Sequence, residues 1–142
     1  MAAPIITRLL FNLDLWLRAR LLPWQVPRDS LDQVLKLATF SGAPSYPGLP
    51  LSYVVSKIAR AVRRPWLMRD RRCLRVGLLG YRFLREAGYE PRLCFGIDPA
   101  SVSADRLAAH CWVEVDGKTV LGASATPMLP ILIYPEKDVP CR

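Results

Sequence analysis

His110 is the one histidine in a chain of 142 residues. A reaction that needs a base near neutral pH would have to use it, because imidazole alone titrates there without help. Four cysteines accompany it: Cys73, Cys94, Cys111 and Cys141. No CxxC pair occurs, which excludes zinc-ribbon and thioredoxin-type sites. Cys73 falls near the start of a predicted helix, where unpaired backbone N–H groups and the positive end of the helix dipole favour a thiolate. Arg71, Arg72 and Arg75 surround it and act in the same direction. Cys94 and Cys111 lie inside apolar strand patterns and read as core filler, and Cys141 falls in a terminal tail. Cys73 is therefore the candidate nucleophile and His110 the candidate acid–base. That pair would do acyl chemistry through a thioester.

These residues need elements to hold them. Apolar side chains at Ile6, Leu9, Leu10, Leu13, Leu17 and Leu21 recur at close to helical spacing, predicting a helix over residues 5–22. It is expected to dock this stripe on the core and to end at Pro23 and Pro27. Ser30 and Gln33 have the form of a capping box, and Leu31, Val34, Leu35 and Ala38 follow at one helical face. Residues 41–50 carry Pro44, Pro47 and Pro50 and read as a loop. A third helix is expected near 51–63, closed by Pro65. Asp70 can cap a fourth, with Leu74, Leu78, Tyr81, Phe83 and Leu84 buried and Gly88 as a left-handed stop. Gly77 and Gly80 inside it imply that another backbone packs closely there. Beyond Gly88 the pattern turns to strands over 91–97, 111–115, 118–121 and 128–134, with Asp116-Gly117 as a tight hairpin turn. Helices followed by an antiparallel sheet make the fold class α+β.

Length argues for a single domain over 1–142, with a helical part to about residue 65 and a core of about 66–135. A chain of 16.0 kDa can bury about two-thirds of its extended surface, enough for one core. Composition excludes disorder, repeat arrays, coiled coils and membrane-spanning proteins. The 20 Lys+Arg against 12 Asp+Glu leave a net charge of +8. Such a surface attracts acidic peptides, acidic partner proteins or nucleic acid. Arg60, Arg63, Arg64, Arg69, Arg71, Arg72 and Arg75 carry much of the excess. No RNA- or DNA-binding motif accompanies them, so nucleic acid is not expected. The first residues lack the basic region of a secretory signal, which points to a reducing cytoplasm and no disulfide framework.

Residues 72–88 (RCLRVGLLGYRFLREAG) resemble the nucleophile helix of the transglutaminase-like leader peptidases of lasso-peptide biosynthesis. Residues 91–97 (PRLCFGI) and 109–117 (AHCWVEVDG) are similar to the strands that follow in that family. The likeness is strongest over about 70–122 and extends loosely to the N-terminal helices, including Ala61–Pro65. It implies a papain-like arrangement on a transglutaminase-type fold, with Cys73 attacking a peptide carbonyl and His110 moving the proton. It implies no metal and no cofactor, since thiolate and imidazole supply both nucleophile and acid–base. It also implies a bacterial cytoplasmic protein in the stand-alone form, working with a precursor (leader) peptide, a separate leader-recognition protein and an ATP-dependent lasso cyclase.

The third catalytic member departs from that pattern. The family places an acid about twelve positions after the histidine, and Gly122 stands there. Glu114 and Asp116 fall on the His110 side of a strand by alternation, with Asp98 further off. Asp116 is the candidate orienting acid, although Asp-Gly is also ordinary turn chemistry. An amide, a backbone carbonyl or a partner residue are the alternatives. Trp112 and Arg72 are candidate substrate contacts, and Trp112 can equally shield the imidazole or fill the core. Two rival functions stay open: an acyltransferase on the same fold, and a noncatalytic basic module that binds peptide or nucleic acid.

Overall fold

The computed structural model describes residues 3–26, 30–63 and 71–135. The first helix, α1, spans Ile5–Gln25 and runs straight through Pro23. Proline has no N–H to give the carbonyl four residues back, which ordinarily ends a helix. Here that carbonyl, on Ala19, accepts instead from Nη2 of Arg75. A tertiary contact replaces the missing rung, and the helix continues to Gln25. Its buried face is also not the expected one. Phe11, Leu15, Ala19 and Leu22 are buried, whereas Ile6, Leu9, Leu10, Leu13, Leu17 and Leu21 face outward. The helix is apolar on most sides, so periodicity alone does not choose a face. The aromatic contacts do: Phe11 sits with ring centroids 5.5 Å from Tyr46, 6.1 Å from Tyr53 and 5.4 Å from Phe83.

Helix α2, Leu31–Ala38, starts as expected, with the Ser30 side chain accepting from the Gln33 N–H and Val34 and Ala38 buried. Helix α3, Leu51–Ala61, buries Val54 and Ile58. Helix α4, Arg72–Glu86, has Arg71 at its N-cap and no side-chain cap; the expected cap, Asp70, lies outside the described residues. Its other end obeys local rules closely. Gly88 at φ +93 lets its own N–H reach the Arg85 carbonyl and the Tyr89 N–H reach that of Leu84. Those two bonds satisfy carbonyls that a helix end would otherwise leave orphaned.

Strands β1 (Pro91–Ile97), β2 (Ala109–Val115), β3 (Lys118–Leu121) and β4 (Leu129–Tyr134) form an antiparallel sheet in the order β3-β2-β1-β4. Four helices followed by this sheet give the expected α+β arrangement. Asp116 (φ 51) and Gly117 (φ 74) turn β2 into β3, the double left-handed geometry of a tight hairpin. Helix α4 lies across β2 on its two interior glycines. A Cβ on Gly77 would collide with Cys111 Sγ, and one on Gly80 would come within 2.6 Å of Leu121 Cδ1. Small residues there set the close approach of helix and sheet.

Alternation divides β2 between two faces. Cys111, Val113 and Val115 join the main core under α4, while Trp112 packs with Cys94, Met128 and Ile133 in a second cluster. Strand β2 begins two residues before the expected position, so His110 is part of the ladder, opposite Gly96. Cys94 is buried as foreseen but is disulfide-bonded, against the expectation of reduced thiols. Among the described residues, no helix is long and apolar enough to cross a membrane.

Candidate active site

Cys73 is the second residue of α4, half-buried and packed against the main core. It stands one turn before Gly77, on the flank of α4 that faces β2. Cys111 lies beneath that flank at 2 % exposure. Burial pushes the Cys111 thiol well above its ordinary range, and the nearby Cys73 adds to the effect. Cys111 is thus a core sulfur held in its neutral, unreactive form. Cys73 is the more accessible of the two thiols.

His110 makes the contact that defines the site. Its Nε2 lies 2.6 Å from the carbonyl oxygen of Gly122. A carbonyl only accepts, so Nε2 carries the proton and donates it. In the neutral ring Nδ1 is then the nitrogen with a free lone pair, the one able to act as base. The imidazole also lies nearly parallel to Trp112, at 17° with centroids 6.3 Å apart.

Gly122 reaches His110 because it is glycine. Its φ is +73, and a Cβ there would sit 2.8 Å from the Cys111 carbonyl oxygen and 3.2 Å from Trp112 Cα. Any larger residue would push the end of β3 away from β2. The twelfth position after the histidine therefore keeps contact with the ring, through its backbone. Of the alternatives open in the sequence, a backbone carbonyl is the group that occupies the place.

The carboxylates lie elsewhere. Asp116 is exposed in the hairpin turn, and no hydrogen bond joins it to His110. Glu114 is fully buried on the His110 face, where its Oε1 accepts from Trp112 Nε1 at 3.1 Å and its Oε2 has no partner. It holds the tryptophan that underlies the imidazole. Asp98 caps a short turn by accepting from the Ala100 N–H at 2.9 Å. Arg72 is exposed at the first position of α4. His110, Trp112 and Gly122 are brought together. Cys73 sits on the α4 side of β2, next to Cys111, and no hydrogen bond joins its sulfur to His110. Among the described residues, no group of three His, Cys, Asp or Glu could hold a metal ion.

A sequence profile of one family, the transglutaminase-like superfamily, matches residues 9–130 and so takes in Cys73, His110 and Gly122. The chain belongs to the transglutaminase-like superfamily. No curated protein and no solved structure matches it. Transglutaminase-like proteins are in general enzymes of the cysteine-protease or acyltransferase type. At the twelfth position after His110, where the resemblance implies an acid, a main-chain oxygen meets the ring. In the sequence Gly122 reads as a gap, because a contact made by a carbonyl leaves no side-chain signature. Arg75 reads there as one more charge of a basic run, whereas it is 4 % exposed and reaches α1. The missing N–H of Pro23 was the one available sign of that.

Proposed function

We propose that this transglutaminase-like protein is a cysteine peptidase that removes the leader from a ribosomally made lasso-peptide precursor. The observation that carries the chemistry is the His110–Gly122 contact, which leaves Nδ1 unprotonated and the ring held at Nε2. Cys73 Sγ gives its proton to Nδ1 and attacks the scissile carbonyl carbon. The tetrahedral adduct collapses as the imidazolium returns that proton to the departing amine, leaving a thioester on Cys73. Water, deprotonated by His110, then attacks the thioester and releases a carboxylate and the free thiol. In the protein without substrate, Cys73 and His110 are not hydrogen-bonded. Cys73 lies with Cys111 on the α4 face of β2 and His110 alternates with Cys111, so the transfer requires the imidazole to swing round the start of β2 to the α4 side.

The likeness of residues 72–88 and 109–117 to leader peptidases supports the peptide substrate. It also supports a bacterial cytoplasmic setting, a separate leader-recognition protein and a cyclase downstream. A noncatalytic binding module is the second reading, and the unjoined Cys73 and His110 favour it.

Incubation with the precursor peptide and recognition protein, read by mass spectrometry, separates these. A free carboxylate at the cut supports the peptidase, and an amide adduct identifies an acyltransferase. Cys73→Ala should abolish either product while the protein stays folded. Cleavage by that variant at the wild-type rate would remove Cys73 from the mechanism. An intact precursor with wild-type protein and recognition partner favours the binding module.

A further inference from the structure

Arg75 is the least expected side chain in the molecule. It is a guanidinium at 4 % exposure. One of its nitrogens, Nη2, donates to the Ala19 carbonyl, while Nε and Nη1 are buried with no partner. Burial lowers its pKa from the ordinary arginine value, the direction expected of a cation that nothing neutralises. Buried charges are ordinarily paired, because an unpaired one loses its hydration without compensation. Among the described residues this one has no carboxylate.

Arg75 does have a cavity. A groove of about 1140 Å³ between α1 and α3 is lined by Arg75, Lys57, Arg60 and Arg63 and walled by Trp16 and Trp24. Among the described residues, no Asp or Glu lines it. The geometry points to a binding site for a carboxylate-bearing peptide segment, its carboxylate on Arg75 and its apolar neighbours against Trp16 and Trp24. The unpartnered Nη1 of the guanidinium suits a carboxylate oxygen, a charge-assisted hydrogen bond. The rim cations draw an acidic chain in by field, and Leu21 beside Trp24 offers the apolar surface that its neighbours need. A polynucleotide could stack bases on Trp16 and Trp24, which are both exposed, but would want its cations along an open track. Here the innermost cation is sunk in the core. Arg75 stands two residues after Cys73 and points away from the sheet toward α1, so a peptide anchored there begins beside the nucleophile's helix turn. The peptide occupant rests on the peptidase reading; the anion site itself does not.

The test is affinity selection on immobilised full-length Cys73→Ala protein with a pool of random short peptides, the retained fraction sequenced by mass spectrometry. Asp or Glu flanked by apolar residues should be enriched about tenfold, the worth of a charge-assisted hydrogen bond. Arg75→Met should return the composition to that of the input, with circular dichroism reporting the fold. Arg60→Gln with Arg63→Gln, both exposed, should reduce the enrichment and keeps the test decisive if Arg75→Met does not fold. No acidic enrichment, or enrichment unchanged in the folded variants, overturns the site. Short oligouridine bound more tightly than any peptide, and lost in Arg75→Met, would assign the groove to nucleic acid and overturn the peptide. Because binding is read on protein without the nucleophile, failure here is distinct from failure of the peptidase reading, which shows only in turnover.

Discussion

The Nε2 of His110 donates to the main-chain oxygen of Gly122, 2.6 Å away and twelve residues along the chain. A carbonyl in that place fixes the tautomer as an acid would, but brings no charge to stabilise the imidazolium. The contact therefore orients the ring without placing a negative charge beside it.

Gly122→Ala tests that contact. The left-handed backbone and the 2.8 Å approach to the Cys111 carbonyl should together cost about 2 kcal/mol of stability. Displacement of the Gly122 oxygen should also slow precursor cleavage by about tenfold or more. Thermal melts and cleavage rates measure the two effects. A variant with reduced stability and an unchanged rate would show that the carbonyl does not position His110.

Gly77→Ala probes the seat of α4 on β2. In an open helix the change would gain about 1 kcal/mol, but here the new methyl meets Cys111 Sγ and lies 2.9 Å from Leu93 Cδ1. Overpacking of that kind costs about 1–3 kcal/mol, so the net change in a denaturant titration should be destabilising. Cys111→Ala in the same chain should recover part of the loss, a coupling of about 1 kcal/mol or more. Additive losses would contradict the described contact.

Tyr46 supplies a pH dependence. Its hydroxyl donates to Asp14 Oδ2 at 2.9 Å, and burial, followed by that carboxylate, raises its pKa from 10.0 to about 12. A raised folded-state pKa means that the contribution is complete below the unfolded value and is lost as pH climbs from about 10 to about 12. Urea midpoints should therefore fall over that range in the wild type. In Tyr46→Phe the fall should be shallower, with about 1 kcal/mol less stability at neutral pH. Parallel profiles for the two proteins would refute the assignment.

Features governed by local chemistry were legible in the sequence. Ser30 caps α2, Gly88 ends α4, and Asp116-Gly117 turns the hairpin, because each depends on residues within a few positions of itself. Gly77 and Gly80 mark the seat of α4 on the sheet, although the atoms nearest them are side chains of β1, β2 and β3 and not another backbone. What failed depends on distant partners. The buried face of α1 is chosen by Tyr46, Tyr53 and Phe83, not by its own leucine spacing. Its passage through Pro23 depends on Arg75, far along the chain. At the site, residue types pointed to Cys73 and His110, while the group that orients the imidazole is main chain and carries no residue identity. Alternation along β2 carried Asp116 too far, since the strand ends at Val115 and the turn takes that carboxylate into solvent.

The proposed peptidase chemistry requires His110 to activate Cys73. The direct measurement is the rate of Cys73 alkylation by iodoacetamide at neutral pH, followed by peptide mass spectrometry in wild type and in His110→Ala, with buried Cys111 as the internal control. Cys73 should react while Cys111 stays protected, and His110→Ala should slow Cys73 by about tenfold or more. Equal rates of Cys73 alkylation in the two folded proteins would contradict it.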